Sequence, residues 1–177
     1  LFAHYGYSKT NIGDIAQACE MSAGNLYRYF RNKQAIGHAV VGSFFDELDA
    51  CIERGLDPSV SAEARIRFAI TEGVAHTVQE LRQAPKIVEL SEMICETDEG
   101  MAVVGAHVQR YLVRLTALIE EGVANGEFRV ANPALAARAV QFGTKFFHIP
   151  FAIAQHGLDR VEPDLAVTLD LLCAGLR

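Results

Sequence analysis

Three helix starts crowd into one short stretch near the N-terminus, and this spacing limits the architecture more than any other feature. Thr10 is predicted to cap a helix over residues 11–19, and Ser22 a second, short helix over 23–30, because their side chains accept hydrogen bonds from first-turn amides. Only a tight turn at residues 20–21 separates the two helices. Helices joined so closely must cross steeply, so the second is predicted to project from the surface.

A helix that projects in this way can enter the major groove of DNA while its partner crosses the backbone. Small residues at its start permit close approach, and Asn25 and Arg28 supply hydrogen-bond donors for base edges. Neighbouring polar side chains suit phosphates. The predicted DNA contacts are Thr10, Ser22, Ala23, Gly24, Asn25, Tyr27, Arg28, Tyr29 and Lys33. Taken singly, each is explained equally well by a solvated helical hairpin with amphipathic surface tyrosines.

Charge is divided unevenly along the chain. The 16 Lys and Arg residues and 22 Asp and Glu residues give a net charge of −6, which alone disfavours a nucleic-acid partner. Residues 1–43 hold four basic and two acidic side chains, or +2, and the remaining residues hold 12 basic and 20 acidic ones, or −8. A small basic head on an acidic body is typical of a protein whose tip meets phosphates.

Apolar residues recur at steps of three and four along the chain, so the fold is predicted to be all-α. Asn32 is predicted to cap a long helix that joins a head, residues 1–44, to a helical-bundle body, residues 45–177. Pro150 is expected to kink the helix that contains it. The predicted helices are a stub ending near Gly6, 11–19, 23–30, 33–54, 61–82, one starting at Pro85, 98–125, 133–155 and 162–176.

One string of head residues is distinctive as a set. It comprises Phe2, Gly6, Tyr7, Thr10, Asp14-Ile15-Ala16, Ser22-Ala23-Gly24, Leu26-Tyr27, Tyr29-Phe30 and Asn32-Lys33. In this string the chain closely resembles the DNA-binding segment of the tetracycline-repressor (TetR) family. Beyond it, the likeness is one of helical layout, together with the phrase Gly126-Glu127-Phe128-Arg129.

The resemblance implies a homodimer of nine-helix subunits, in which the last two helices of each subunit form a four-helix dimer bundle. It implies a body that encloses a ligand pocket, and it carries the DNA-contact roles over to the head residues named above, with Arg28 as the position that sets specificity. We therefore expect a repressor that binds a pseudo-palindromic double-stranded DNA operator and is released by a small, largely apolar effector. A constitutive DNA-binding or architectural protein without effector is the alternative.

Three residues depart from the family pattern. Glu20 stands where the family often has a turn glycine, and a left-handed conformation there would cost about 1 kcal/mol. Gly13 weakens its helix by roughly 0.5 to 1 kcal/mol relative to alanine. Gln34 replaces the acidic residue usual after the lysine.

Histidines and large apolar residues of the body are candidates for an effector pocket, since ligand sites are mostly apolar with a few polar anchors. Ordinary core packing explains each of them singly. The candidates are Phe68, His76, Met93, His107, Tyr111, Phe142, Phe146 and His148.

Several other functions are disfavoured. No Glu-x-x-His repeat, P-loop or Gly-x-Ser-x-Gly sequence occurs, so an enzyme on a helical bundle is set aside. Glu72 and His76 could bind a metal, but a helix-surface pair explains them equally, and no metal or cofactor is predicted. Cys95 has acidic neighbours, which disfavours a reactive thiolate. No apolar run is long enough for a membrane span, and a cytoplasmic location is expected.

Overall fold

The computed structural model describes residues 1–177 as ten α-helices and one short 3₁₀ helix, without strands, so the predicted all-α class is confirmed. None of the helices combines the length and apolar character needed to cross a membrane. The helices are α1 (Phe2–Tyr5), α2 (Ile12–Ala18), α3 (Ala23–Leu26), α4 (Lys33–Gly55), α5 (Ala62–Gln83), α6 (Ile87–Cys95), α7 (Asp98–Ala124), α8 (Pro133–Thr144), the 3₁₀ helix (Lys145–His148), α9 (Pro150–His156) and α10 (Leu158–Ala174).

Side-chain caps fix where most of the long helices begin. Asn32 accepts a hydrogen bond from the Ala35 amide at 2.8 Å at the start of α4. Ser61, Thr97 and Asn132 accept equivalent bonds at the starts of α5, α7 and α8. Each cap satisfies an amide that has no partner within the helix, which is why the predicted starts agree with the structure to within a residue or two.

The predicted single helix over 133–155 is wrong, because the chain breaks there instead of kinking. Ile149 is extended, with φ −105° and ψ 110°, the conformation favoured for a residue that precedes proline. Pro150 has no amide hydrogen to continue the ladder, but it fits the first position of a new helix. The break adds one helix to the nine implied by the resemblance.

The last helix also begins earlier than predicted. The sequence pattern placed its start at residue 162, which puts Pro163 in the first turn, but α10 starts at Leu158 and contains Pro163 in its interior. Gly157 permits this start because it takes φ 101°, a left-handed conformation that suits glycine. The helix therefore tolerates the loss of one backbone hydrogen bond near its N-terminus.

The body is held by a core of buried aliphatic side chains from α5, α7, α8, α9 and α10. Ile66, Ile70, Leu115 and Ile119 are all fully buried. A smaller core joins the head to the body, because Ile15, Leu26 and Ile36 of the head pack with Leu90, Met93 and Ile94 of α6. Helix α6 therefore belongs by its contacts to both parts of the molecule.

The phrase Gly126-Glu127-Phe128-Arg129 forms the loop between α7 and α8, and each of its first three residues has a distinct structural part. Gly126 takes φ 77°. The Glu127 carboxylate accepts hydrogen bonds from the first two amides of α5, those of Ala62 at 3.1 Å and Glu63 at 3.3 Å. Phe128 is 2% exposed and packs against Gly122, where any side chain would collide with its ring. The loop thus fastens α7 to the start of α5.

Candidate nucleic-acid interface

Helix α2 begins one residue later than predicted, with Asn11 in place of Thr10 as its cap. The Asn11 side chain accepts from the Asp14 amide, and the Asp14 carboxylate accepts from the Asn11 amide, both at 3.0 Å. This reciprocal pair is a capping box. Thr10 is 2% exposed, and its hydroxyl donates to the Gly6 carbonyl at 2.8 Å. The predicted cap role of Thr10 is therefore wrong, and its hydroxyl instead links the end of α1 to the start of α2.

The turn between α2 and α3 runs through Glu20, the only non-glycine residue with positive φ, at 55°. The Met21 amide then donates to the Ala16 carbonyl at 2.8 Å, which closes the turn. Glutamate pays a steric penalty in this conformation because its Cβ approaches the backbone. The exposed Glu20 side chain also adds negative charge beside α3.

We expect Glu20→Gly to raise the free energy of unfolding by about 1 kcal/mol, since glycine adopts positive φ without a steric penalty. Chemical denaturation of the purified protein measures this. Gly126→Ala is the matched control, because Gly126 has positive φ in open space and alanine there should destabilise by a similar amount. No gain from Glu20→Gly would contradict the assignment of strain to this turn.

The short helix α3 is the element most available to a partner. Ser22 caps it by accepting from the Asn25 amide at 3.1 Å, as predicted, and Leu26 is its one buried residue. The regular helix ends at Leu26, four residues earlier than predicted, although the Phe30 amide still donates to the Leu26 carbonyl at 3.1 Å. The exposed residues on and around α3 are Ser22, Ala23, Gly24, Tyr27, Arg28 and Tyr29, with Asn25 half-buried.

Gly24 lies in the open at the start of α3. A Cβ built there would find only the Ser22 hydroxyl, at 4.0 Å, so the fold does not need a glycine at this position. Its φ is also not positive. The absence of a side chain therefore leaves room for a molecule that approaches the helix from outside.

Lys33, predicted as a phosphate contact, forms hydrogen bonds within the head. Its ammonium group donates to the carbonyls of Tyr7 at 2.9 Å and Thr10 at 3.0 Å, and lies 4.3 Å from the centre of the Tyr7 ring. A lysine ammonium has three N–H donors, and two are used within the head. Lys33 thus joins the start of α4 to the segment between α1 and α2, and we assign it to positioning the head.

Polar contacts join the head to the body on two sides. Arg31 pairs with Glu99 of α7 at 2.5 Å, and the His38 ring lies 3.0 Å from the Thr97 hydroxyl. On the other side the Ser8 amide donates to Glu89 of α6 at 3.0 Å, and this hydrogen bond lowers the pKa of the Glu89 carboxyl. These contacts would therefore transmit a movement of α6 or α7 to the head.

The predicted effector residues do not form one group. Phe142 and Phe146 are 64% and 43% exposed, which corrects the expectation that they lie inside the body. Met93 belongs to the core beneath the head. The half-buried Phe68 packs against Gly55 at the far end of α4.

The other four, His76, His107, Tyr111 and His148, lie in one layer where α4, α5, α7 and the 3₁₀ helix meet. The ring centres of Tyr111 and His148 are 5.7 Å apart, and His148 packs against Gly73, one turn before His76 on α5. The His107 ring stacks on Phe45 at 4.1 Å. We refer to these four side chains as the histidine layer.

Burial shifts the pKa values of three side chains of the histidine layer. Burial, with the nearby His107, lowers the pKa of His148 to about 4, and burial also lowers the pKa of His107 despite the opposing Asp49. Burial raises the pKa of Tyr111 to about 12. His107, Tyr111 and His148 are therefore uncharged at neutral pH.

Beside this layer, an ion-pair cluster that the sequence analysis missed links α4 to α7. Asp49 pairs with Arg110 at 2.6 Å and with Arg114 at 3.1 Å. Arg110 also forms an ion pair with Asp46 at 3.0 Å, and Arg114 forms one with Glu53 at 2.7 Å. Burial opposes ionisation of Asp49, but hydrogen bonds from the two arginines keep its pKa below the ordinary value. The acidic residues at steps of three and four along α4 were the available signal.

No group of three or more His, Cys, Asp or Glu side chains is arranged to hold a metal ion. The four cysteines are unpaired: Cys19 and Cys95 are exposed, Cys51 is partly buried and Cys173 is buried.

A helix-turn-helix head on an all-helical body, with a free and exposed second helix, is the architecture of a DNA-binding transcriptional regulator. Residues 1–40 match the model of bacterial regulatory proteins of the tetR family. Residues 62–167, more than half of the chain, match the tetracyclin repressor-like C-terminal domain. The chain therefore belongs to the TetR family of transcriptional regulators, as the sequence analysis predicted, and its relatives are not enzymes.

Two relatives from Bacillus subtilis (strain 168) illustrate the likeness. An uncharacterised HTH-type transcriptional regulator, YuxN, is 25% identical over 138 residues, which are 68% of this chain and 47% of YuxN. The fatty acid metabolism regulator protein is 26% identical over 157 residues, 81% of this chain and 73% of that protein. The chain thus spans about half the length of the first of these relatives.

The fold is shared with solved structures. The transcriptional regulator FadR from Bacillus subtilis, solved in complex with stearoyl-CoA, superposes with a TM-score of 0.73 at 17% identity, and the match covers 99% of this chain and 94% of that one. This likeness establishes the common architecture of head and body.

Proposed function

We propose that this chain is a ligand-responsive repressor that binds a pseudo-palindromic operator as a homodimer and is released by a small, largely apolar effector. In this proposal residues 1–44 form the DNA-binding domain and residues 45–177 the effector-binding and dimerisation domain, and the protein acts in the cytoplasm. The observation that carries the proposal is the start of α3, where Gly24 lies exposed with no structural demand for glycine.

DNA recognition divides among the exposed head residues. Asn25 and Arg28 would meet base edges, since their side chains can donate to groove acceptors. Ser22, Tyr27 and Tyr29 would meet phosphates, which fix the register of the head on the duplex. Two heads on a symmetric dimer would occupy successive major grooves about one helical turn apart.

Exposed apolar side chains on α8, the adjoining 3₁₀ helix and α10 support the dimer. They are Leu135, Phe142, Phe146, Val167 and Leu171, each between 43% and 72% exposed. Helices α8 and α10 pack together, since Gly143 of α8 lies against Leu172 of α10. An apolar patch of this kind on one subunit is typical of a protein–protein interface, and pairing two copies would give the four-helix bundle implied by the resemblance.

Leu171→Glu should convert the dimer to a monomer, because Leu171 is 72% exposed in the subunit and a charge would be buried unpaired in the interface. Sedimentation at several protein concentrations measures the shift. Val113→Glu is the matched control, since Val113 is 62% exposed on α7 and lies in the groove beside α4, and it should leave the dimer intact. A Leu171→Glu protein that stays dimeric would place the interface elsewhere.

The effector would act through the body. Relatives include a fatty acid metabolism regulator and a regulator solved with stearoyl-CoA, which favours a ligand with a long apolar part. Ligand binding would favour a conformation in which α4 shifts and moves the attached head, so that the two heads no longer match the groove spacing. A tenfold loss of operator affinity requires about 1.4 kcal/mol of coupling.

Selection of genomic fragments with the purified protein tests the proposal, followed by titration of enriched fragments at two salt concentrations. An enriched inverted repeat bound with a steep salt dependence is expected. Arg28→Ala should relax preference at particular base pairs, whereas Lys9→Ala, which removes an exposed head charge, should weaken binding to all sequences alike. If no fragment is enriched, the proposed operator binding fails. If an operator is bound and no ligand changes its affinity, a constitutive DNA-binding protein is the better description.

A further inference from the structure

Helix α6 contacts the head through one carboxylate. The Ser8 amide donates to Glu89 Oε2 at 3.0 Å, and Ser8 lies in the segment of residues 6–10 between α1 and α2. A Cβ built on Gly6 would lie only 2.6 Å from Glu89 Oε1. The carboxylate therefore occupies the space that a side chain at residue 6 would take, and it holds this 6–10 segment from the side of the body.

The backbone of the segment is also held from within the head. The Thr10 hydroxyl donates to the Gly6 carbonyl at 2.8 Å. The Lys33 ammonium group donates to the carbonyls of Tyr7 at 2.9 Å and Thr10 at 3.0 Å. These bonds come from the segment itself and from α4, whereas the carboxylate described above belongs to α6. The placement of the segment therefore depends on both parts of the molecule.

Glu89 stands on a rigid base. Its neighbour Leu90 is fully buried and packs, with Met93, in the core that joins the head to the body. Gly37 of α4 lets α6 approach closely, since a Cβ there would lie 2.6 Å from Met93 Cε and 3.0 Å from Leu90 Cδ1. Because such a core is closely packed, the main chain at Glu89 has a fixed position relative to α4.

The elements that follow the 6–10 segment carry the proposed DNA contacts. Helix α2 begins directly after it, with Asn11 as its cap, and Ala16 of α2 packs in the same core as Leu26 of α3. The Met21 amide donates to the Ala16 carbonyl at 2.8 Å across the turn between the two helices. A displacement of the segment would therefore displace α2 and α3 together.

The charge of Glu89 and its position predict effects of opposite sign on DNA binding. The hydrogen bond from Ser8, with the nearby Lys86, lowers the pKa of the Glu89 carboxyl, so Glu89 is ionised at neutral pH. Removal of an acidic charge from a DNA-binding protein should tighten its binding to any DNA, because phosphates are repelled less. Loss of a positioning contact should instead weaken binding to the operator.

We propose that Glu89 is a positioning residue for operator recognition: its carboxylate, seated against Gly6 and bonded to the Ser8 amide, sets the placement of α2 and α3 relative to the body. The two heads of a dimer must match the groove spacing together, so a shift of each head costs operator affinity. Binding to non-specific DNA depends on charge and is spared. The inference rests on the proposed operator binding and deepens it.

Titration of an enriched operator fragment and of a scrambled duplex of the same length tests this role. For Glu89→Ala we expect operator affinity to fall about tenfold, the size of one hydrogen bond to a charged group. Affinity for the scrambled duplex should stay the same or rise. Glu89→Gln keeps a carbonyl oxygen that can accept from the Ser8 amide, so it should restore most of the operator affinity. Glu92→Ala, at an exposed position of the same helix, is the matched control and should not weaken operator binding.

Three results would overturn the proposal. The first is a Glu89→Ala protein that binds the operator as tightly as the parent protein or more tightly, since Glu89 would then act through its charge or not at all. The second is an equal fall in affinity for both duplexes, which indicates a smaller folded fraction. The third is a Glu89→Gln protein as weak as Glu89→Ala, because the hydrogen bond would then not be the cause.

The contact itself is measured without DNA, in amide NMR spectra of the isotope-labelled protein. Glu89→Ala should move the Ser8 amide proton upfield, because that amide loses its acceptor, and Glu92→Ala should leave it in place. If the parent protein prefers no DNA sequence, the proposed repressor function fails, and the role of Glu89 falls with it even where the Ser8 contact is confirmed. If the parent protein binds its operator and Glu89→Ala binds it equally well, this inference fails alone.

Discussion

Gly24→Leu should abolish operator binding, with a loss of at least about 100-fold in affinity, or about 2.8 kcal/mol. A Cβ at this position meets nothing in the protein closer than the Ser22 hydroxyl at 4.0 Å, so we expect the steric conflict to arise only when DNA approaches. The free energy of unfolding should rise by roughly 0.5 to 1 kcal/mol, because leucine is a better helix former than glycine. Fluorescence anisotropy with an enriched operator fragment measures the affinity, and chemical denaturation measures the stability.

Gly105→Leu is the matched control for this experiment. Gly105 lies in α7, is exposed, and also has nothing within 4 Å of a built Cβ. It should gain similar stability without any change in operator affinity. If Gly24→Leu binds the operator as well as the parent protein, α3 does not approach DNA and the proposed interface is wrong.

Phe128→Ala should lower the free energy of unfolding by about 3–5 kcal/mol, the usual cost of removing a buried aromatic ring. Phe128 is 2% exposed, and its ring covers Gly122 of α7, so its loss would leave a cavity between the end of α7 and the start of α5. Denaturation at a fixed protein concentration measures the change, since an oligomer's apparent stability depends on concentration.

Phe128→Leu should cost less than the alanine variant, because it refills part of the cavity. Tyr5→Ala, which removes an aromatic ring that is 54% exposed, should change stability by much less. A Phe128→Ala protein no less stable than Tyr5→Ala would mean that the α7–α8 loop does not anchor the body.

The sequence predicted the parts of the fold that depend on local hydrogen bonds and helical periodicity. Ser22 and Asn32 were identified as caps because a short polar side chain just before an apolar helical repeat commonly accepts a hydrogen bond from a first-turn amide. The same reasoning gave the wrong cap at Thr10, since the neighbouring Asn11 is also a good cap and forms a capping box with Asp14. A choice between neighbouring caps depends on which of the two side chains the tertiary fold buries.

The candidate DNA contacts could be named from the sequence, but their individual roles could not. Lys33 carries a charge suited to phosphate, yet the tertiary fold brings two backbone carbonyls of the segment between α1 and α2 within reach of its ammonium group. The effector candidates were dispersed for a similar reason. Helical spacing predicts which residues share one face of a helix. It does not predict whether that face packs in the core, as at Tyr111, or lies at the surface, as at Phe142.

By itself, the sequence determined the all-helical class, the helix-turn-helix and the membership of the TetR family, because periodicity, caps and the head string are local properties of the chain. Only the tertiary structure decided where Thr10 and Lys33 point, that α6 joins head to body, and that the layer of His76, His107, Tyr111 and His148 adjoins the ion pairs of Asp49. These contacts link residues distant in sequence, and their energies depend on burial, which arises only when the helices pack.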